Sequence, residues 1–164
     1  MTLHDPSLVR TAALLGMGSV GSGWATLLLA KGIKLRAYDP GDTARVTAEK
    51  QKSRAWPSLD KLKQTTQAEP PLDQSTFCDS VEDASQDADV VIENAPEKLS
   101  LKQELLKAVD RVTGSNVPVL SSAGGIAPSD LQRGCSHPQR VAVMHPFNPS
   151  HLIPLVEIYV VEDT

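Results

Sequence analysis

Short apolar runs alternate along the chain with longer polar or amphipathic stretches. Short apolar runs bounded by turn residues are typical of buried strands, whereas an apolar repeat near the helical period indicates a helix. Strands are predicted at 11–15, 33–38, 76–78, 90–92, 117–120 and 141–144. Helices are predicted in the stretches 19–31, 43–68, 80–87, 98–112 and 128–133.

The stretch 98–112 has the clearest helical period. Its apolar residues share one face, with Lys and Glu on the others, as an amphipathic surface helix requires. These apolar residues are Leu101, Leu105, Val109 and Val112. Strands that alternate with helices predict right-handed crossovers and a parallel sheet. The predicted fold class is therefore α/β, with a doubly wound and mostly parallel sheet.

The stretch 42–75 is long and rich in Lys, Gln and Thr, and it contains Trp56-Pro57 and Pro70-Pro71. Because a proline pushes the preceding residue out of the helical region, one or two solvated helices are predicted here, broken before Pro57. Two interpretations stay open. The stretch is either a flexible surface excursion or a segment that faces a bound small molecule.

Composition narrows the classes of function. The chain has 164 residues, which suits one domain with a buried core. It carries 16 basic and 20 acidic residues and no basic block, so nucleic acid is not an expected partner. The N-terminal residues lack the apolar core of a signal peptide, and no apolar run approaches the ~20 residues of a membrane span. A cytoplasmic protein without a membrane partner is predicted.

The two cysteines, Cys78 and Cys135, share no spacing typical of a metal site or a redox motif. They are predicted to be reduced, structural thiols in a reducing compartment. No metal site is predicted from this sequence.

The first candidate site is the glycine-rich segment LLGMGSVGSGWA, with Gly16, Gly18 and Gly21. Gly16 would permit a tight turn after the first strand, Gly18 the approach of a pyrophosphate, and Gly21 close packing of helix and sheet. The free amides at the start of the helix would then bind the phosphates. Three glycines in a loop are also compatible with a simple turn.

Asp39 follows the second predicted strand. A carboxylate there accepts hydrogen bonds from the adenosine ribose hydroxyls and repels a 2′-phosphate, so NAD is predicted in preference to NADP. As an alternative, Asp39 is a turn residue within DPGD. With the glycine segment it indicates a single dinucleotide-binding domain of the Rossmann type over 1–164.

Polar or glycine-rich segments follow the other predicted strands. ENAPEK follows 90–92, SSAGG follows 117–120 and His145 follows 141–144. Ligands of open parallel sheets bind beyond the carboxyl ends of the strands, so these segments are predicted to form one rim. His145 is thereby expected beside the nicotinamide end of the cofactor.

His145 is a candidate base, because the unperturbed pKa of histidine is close to working pH. Glu157, in the strand-like run IPLVEIYVV, is a candidate to orient the imidazole, and a buried pairing is expected for it. Pro146 is expected to interrupt the strand after His145, and Pro149 and Pro154 to stiffen the return to Glu157. The alternatives are a histidine that caps a strand and a glutamate that faces solvent on an edge strand.

These motifs together resemble the NAD-binding domain of the L-3-hydroxyacyl-CoA dehydrogenase superfamily. GSGWA and HPFNPSHLIPLVEI are especially similar to the branch of lambda-crystallin, L-gulonate 3-dehydrogenase and carnitine 3-dehydrogenase. The resemblance implies NAD-dependent oxidation of a 3-hydroxy acid or 3-hydroxyacyl thioester to the 3-keto compound. It implies catalytic roles for His145, Glu157 and Ser122, and a segment 42–75 that helps to cover the substrate. The cofactor contacts that it implies are Gly16, Gly18, Ser19, Val20, Gly21, Asp39, Ala95, Glu97, Lys102 and Ser122.

The chain departs from the family pattern at Gly124, where the resemblance implies a serine whose hydroxyl holds the substrate oxygen. Ser121 and Ser122 would replace it only if the loop were rebuilt. The helical domain that follows in the family is expected to be absent from this chain. The apolar segment 152–161 then lacks its usual cover, which predicts a homo-oligomer.

Two hypotheses for the function follow. The first is an NAD-dependent dehydrogenase that is complete only with a helical partner domain or a compensating oligomer. The second is an NAD-binding module without this turnover, which Gly124 favours.

Overall fold

The computed structural model describes residues 5–153 and 155–161. Their core is a seven-stranded sheet in the order β3-β2-β1-β4-β5-β6-β7. Strands β1 to β6 run parallel, and β7 pairs antiparallel with β6. The predicted doubly wound α/β class is therefore confirmed. The strands are β1 (Thr11–Leu15), β2 (Lys34–Tyr38), β3 (Ser75–Phe77), β4 (Val90–Glu93), β5 (Val119–Ser121), β6 (Val141–Pro146) and β7 (Val156–Tyr159).

Helices cover both faces of the sheet, which explains why the inner strands β1 and β6 are buried and largely apolar on both sides. The helices are α1 (Ser19–Ala30), α2 (Ala44–Lys61), α3 (Val81–Ser85), α4 (Leu99–Val112) and α5 (Pro128–Leu131). Ala12 and Leu14 of β1 pack on the side of α1 and α2. Ala13 and Leu15 pack on the side of α3, α4 and α5. The alternation of side chains along one strand thus contributes to two separate cores.

The predicted break before Pro57 is wrong, since α2 continues through this proline. The side chain of Trp56 is only 1% exposed. Its Nε1 donates a hydrogen bond to the carbonyl of Gln67 at 2.9 Å. Leu59, one turn further on, is buried beside it in the same core. Burial of two large side chains thus outweighs the local cost of the proline, and α2 has a packed face instead of being fully solvated.

Pro146 does not interrupt β6 either, since it pairs with Val156 of β7. The amide of Phe147 donates to the carbonyl of Leu155 at 3.2 Å. Hydrogen-bonded and non-hydrogen-bonded pairs alternate in an antiparallel ladder, so Pro146 occupies a position that needs no donor toward β7. Pro154 lies outside the described residues.

The outer end of β7 is unusually apolar for an exposed edge. Leu155, Ile158, Tyr159 and Val160 are 53%, 54%, 51% and 56% exposed. This surface adjoins β6, and therefore the strand that carries His145.

Candidate cofactor and active site

The glycine turn after β1 depends on two close approaches. Gly16 has φ +92°, a conformation that other residues rarely adopt, and a β-carbon there would lie 2.8 Å from the main-chain carbonyl of Asn94. A β-carbon on Gly21 would lie 2.0 Å from the carbonyl oxygen of Gly16. The turn and the packing of α1 against it therefore exclude side chains at both positions.

Gly18 serves a different purpose from these two glycines. An added β-carbon on Gly18 would meet nothing within 4 Å, so the space above it is open. Gly18 is the N-cap of α1, and no side chain caps the helix. The first-turn amides of Ser19, Val20 and Gly21 thus remain available to an anion, as a pyrophosphate at a helix start requires.

Asp39 lies at the edge of a cavity of about 250 Å³. Its Oδ2 accepts a hydrogen bond from the amide of Met17 at 2.7 Å, and its Oδ1 accepts one from the amide of Gly41 at 2.9 Å. Each carboxylate oxygen has a second lone pair for a ribose hydroxyl. The mainly apolar walls suit an adenine ring, and they are formed by Leu15, Gly16, Tyr38, Pro40, Ala95, Pro96, Leu101 and Leu105. Asp39 therefore fits both interpretations, since it closes the DPGD turn and still presents acceptors to the cavity.

The side chain of Lys102 is buried and points into the protein. It is 1% exposed, and its Nζ lies 2.9 and 3.0 Å from the carboxylate oxygens of Glu93 and 3.0 Å from the carbonyl of Ala95. Glu93 is completely buried and also accepts hydrogen bonds from the Ala95 amide and the Ser121 hydroxyl. This arrangement fixes the turn after β4. The sequence interpretation missed Glu93, although a carboxylate at the end of the run VVIE indicates a buried partner.

Glu97 joins the turns that follow β4 and β5. Its Oε1 accepts hydrogen bonds from the amides of Gly124 at 3.0 Å and Gly125 at 2.8 Å. Its Oε2 lies 3.7 Å from Nζ of Lys102. Glu97 therefore contributes to the shape of the rim around the predicted nicotinamide position.

Ser122 is held by β4 in two ways. Its hydroxyl donates to Oδ1 of Asn94 at 2.7 Å, and its amide donates to the carbonyl of Glu93 at 2.8 Å. Asn94 is a second residue that the sequence interpretation missed. The Ser122 hydroxyl proton is thus engaged within the rim, and only a hydrogen bond donated to a substrate oxygen would require it to leave Asn94.

His145 lies at the carboxyl end of β6, where the structure brings it together with Ser122 and Gly124. Its Nδ1 is 3.4 Å from the carbonyl oxygen of Ser122. A β-carbon on Gly124 would lie 2.9 Å from Cε1 of the ring. The half-buried imidazole thus faces the β5 turn, on the predicted rim.

Glu157 pairs with His145 in the β6–β7 ladder, as a residue directly opposite it. Its side chain is exposed, so the expectation of a buried carboxylate is wrong. Between these two described side chains there is no hydrogen bond or ion pair. The edge position of β7, which leaves one side of the strand without a neighbour, accounts for the exposure of Glu157.

A larger cavity of about 650 Å³ lies between α1, α2 and the turn 148–151. Ser150 fixes this turn on α1, since its hydroxyl donates to the carbonyl of Val20 at 3.2 Å. Partial burial lowers the pKa of His151 on the cavity wall, which keeps its ring neutral near pH 7. Arg54 is the one wall residue with a formal charge. The other wall residues are Ser19, Ser22, Gly23, Thr26, Gln51, Ala55, Ser58, Asn148, Pro149 and His151. The sequence interpretation named neither Arg54 nor His151, because only the packing of α2 on α1 brings them to the same place.

Comparison with known proteins decides the family. The model of the NAD-binding domain of 3-hydroxyacyl-CoA dehydrogenase matches residues 11–164. The chain belongs to this family. The predicted family and the predicted cofactor, NAD, are thereby confirmed.

Two curated relatives are L-carnitine dehydrogenases. The protein from Oceanobacillus iheyensis is 43% identical over 150 residues, which cover 92% of this chain and 48% of that protein. The protein from Streptomyces coelicolor is 40% identical over 156 residues, which cover 95% of this chain and 48% of that protein. The chain thus spans about half the length of the curated relatives it matches. Because these relatives are dehydrogenases, they do not favour the hypothesis of a module without turnover.

Solved structures give the same result for the fold. An NAD⁺-dependent 5-formyl-3-hydroxy-2-methylpyridine 4-carboxylic acid 5-dehydrogenase superposes with a TM-score of 0.85 at 34% identity, covering 96% of this chain and 50% of that one. The 3-hydroxybutyryl-CoA dehydrogenase of Escherichia coli superposes with a TM-score of 0.82 at 27% identity, covering 92% of this chain and 32% of that one.

Within 5–153 and 155–161, no group of three His, Cys, Asp or Glu side chains is arranged to hold a metal ion. In the same part of the chain, no helix has the length and apolar character needed to cross a membrane.

Proposed function

We propose that this domain binds NAD and supplies the base of a dehydrogenase that oxidises a 3-hydroxy acid or 3-hydroxyacyl thioester to the 3-keto compound. The observation that carries the proposal is that the glycine turn, Asp39 and His145 all lie at the carboxyl ends of parallel strands of the sheet. The names of the relatives support it, since they include L-carnitine dehydrogenases and a 3-hydroxybutyryl-CoA dehydrogenase.

In this proposal residues on the rim from β2 to β6 would hold the cofactor. The amides of Ser19, Val20 and Gly21 bind its pyrophosphate above Gly18, and Asp39 binds the adenosine ribose. When bound there, NAD would supply the acceptor for the hydride that leaves the substrate carbon. Contacts to the nicotinamide half come from the turns that contain Ala95, Glu97 and Ser122, which Lys102 supports from below through Glu93 and the carbonyl of Ala95.

His145 takes the proton of the substrate hydroxyl at Nε2. In the neutral ring, Nδ1–H faces the Ser122 carbonyl and leaves the lone pair of Nε2 free to act as the base. A base in this position contributes roughly 10²- to 10⁴-fold to the rate. Glu157, opposite His145 in the ladder, is proposed to stabilise the ring after it has gained the proton.

The substrate occupies the cavity between α1 and α2, next to the turn that follows His145. Among the described residues of the cavity wall, Arg54 carries the one formal charge. Its guanidinium makes no ion pair within the described chain. A cationic group in a cavity lined by hydroxyls and amides suits an anionic part of the substrate, such as a carboxylate. The segment 42–75 therefore helps to cover the substrate through α2.

We also propose that the protein forms a homo-oligomer through β7. The supporting observation is the exposure of Ile158, Tyr159 and Val160, because apolar edges of this kind normally pack against a partner. A cytoplasmic location is part of the same proposal, and the free thiols of Cys78 and Cys135 are compatible with it.

The proposal is tested by incubating the purified protein with NAD and a panel of short 3-hydroxy acids and their CoA thioesters, and following NADH absorbance. The expected result is reduction of NAD with at least one of the free acids or thioesters, and a weaker response with NADP. Absence of turnover across the panel, in a protein that binds NAD by calorimetry, would contradict the dehydrogenase assignment.

A further inference from the structure

Gly124 and the imidazole of His145 share one small space at the ends of β5 and β6. A β-carbon on Gly124 would lie 2.9 Å from Cε1, 3.3 Å from Nδ1 and 3.6 Å from Nε2 of His145. All three of these nearest atoms belong to the ring. The ring therefore occupies the place that any side chain at position 124 would need.

Residues with an acceptor flank His145 on its two neighbouring strands, because β6 runs between β5 and β7. On the β5 side, the carbonyl oxygen of Ser122 is 3.4 Å from Nδ1. On the β7 side, Glu157 stands directly opposite His145, and side chains of such a pair share one face with β-carbons about 5 Å apart. Since no hydrogen bond joins these two described side chains, the ring is held on the β5 side.

The main chain at Gly124 does not itself require glycine. Its φ lies outside the left-handed range, unlike that of Gly16. Its amide donates to Oε1 of Glu97 at 3.0 Å, a bond that a β-carbon would not remove. An added side chain would therefore act on the movable ring and not on the backbone.

We propose that residue 124 is a positioning residue that selects the acceptor for His145. Glycine admits the ring to the Ser122 carbonyl, and a β-carbon at this position turns it toward Glu157. A charge-assisted hydrogen bond to a carboxylate is about twice as strong as one to a neutral carbonyl, so the turned ring holds a proton more firmly. Any effect of the turned ring on the rate of proton transfer rests on the proposed function, whereas the position of the ring does not.

NMR of the His145 ring tests this in the purified protein, with His145→Gln used to assign its signals. In the unmodified protein with the ring in its neutral form, Hε1 should show contacts to the α-protons of Gly124, and Glu157→Gln should leave the ring ¹⁵N shifts unchanged. In Gly124→Ala, contacts to the Glu157 side chain should appear, and Glu157→Gln should now move the ring ¹⁵N shifts.

Gly125→Ala is the matched control. A β-carbon on Gly125 would meet only Oε1 of Glu97, at 3.8 Å, so the variant adds the same methyl group without touching the ring. Its ring signals should remain insensitive to Glu157→Gln, as in the unmodified protein.

Three results would overturn the proposal. The first is a response of the unmodified ring to Glu157→Gln, and the second is a Gly124→Ala ring that does not respond. The third is failure of Gly124→Ala to fold, because the proposal requires the main chain to accept a β-carbon. No readout depends on turnover, so an inactive protein would still report on the ring. An active protein with an insensitive ring would contradict this proposal alone.

Discussion

On the β1–β4 side of the rim, the proposed cofactor groups are fixed by several hydrogen bonds, whereas on the β6–β7 side His145 has a single contact at 3.4 Å. Glu93 and Lys102 are buried beneath the first side, while Glu157 is exposed on the second. The difference indicates that the cofactor half is organised by the domain itself. In the proton-transfer half, one contact holds the His145 ring. The geometry of this half should therefore respond more strongly to substitutions of neighbouring residues.

The largest expected effect concerns the buried pair beneath the cofactor half. Lys102→Met leaves the carboxylate of Glu93 buried without its cation, which should lower the free energy of unfolding by roughly 3–5 kcal/mol. Urea denaturation measures this loss. The control is Arg45→Gln, which removes an exposed pair with Glu49 and should cost at most about 1 kcal/mol. Equal losses in the two variants would show that the cofactor half is not held by this pair.

A second change tests the close packing of the glycine turn. Gly21→Ala forces a β-carbon against the carbonyl of Gly16 and should cost roughly 1–3 kcal/mol of stability together with NAD binding. Gly18→Ala has open space and should lose NAD affinity with a change in stability below about 1 kcal/mol. Thermal unfolding and calorimetry separate the two effects. A stable Gly21→Ala that binds NAD normally would contradict the packing argument.

The β strands and the glycine turn could be predicted because local pattern determines them. Apolar runs define buried strands, and the turn of Gly16 needs only the residues around it. Long-range packing decided the features that the sequence interpretation got wrong. The buried ring of Trp56 keeps α2 intact through Pro57, and the register of β7 makes Pro146 acceptable.

The residues of the candidate site also divide into those that local sequence predicts and those that long-range packing decides. The sequence predicted Asp39 and His145 because each follows a strand whose carboxyl end lies on the rim. It did not indicate that Lys102 would turn inward, since its partner Glu93 belongs to a different element. Arg54 was missed because a charged residue on a polar helix carries no local sign of the cavity that it lines.

An effect of similar size to that of Gly21→Ala is expected at Asp39. Asp39→Ala should weaken NAD binding by roughly 1.5–3 kcal/mol, or about 10- to 150-fold, because a hydrogen bond to a charged group is lost. NADP binding should fall less, so the ratio of the NAD affinity to the NADP affinity should decrease. Calorimetric titration with both cofactors measures it. Unchanged NAD affinity would leave Asp39 as a turn residue only.

The smallest expected effect lies on the substrate side. Arg54→Gln should raise KM for an anionic substrate by up to about 5-fold with kcat nearly unchanged, since Arg54 is exposed and an exposed ion pair contributes at most about 1 kcal/mol. Arg45→Gln, at an exposed position of the same helix, is the control. Equal KM values in Arg54→Gln and the unmodified protein would contradict the proposal that the substrate binds in this cavity.

The central claim is that His145 transfers the proton, and single-turnover measurement of NADH formation tests it most directly. With NAD affinity followed by calorimetry, His145→Gln should lower the rate by roughly 10² or more while NAD binding is kept. His137→Gln, which changes a histidine paired with Asp110 far from the rim, should retain the rate. A His145→Gln protein that still reduces NAD at the unmodified rate would make His145 a structural residue and refute the proposed mechanism.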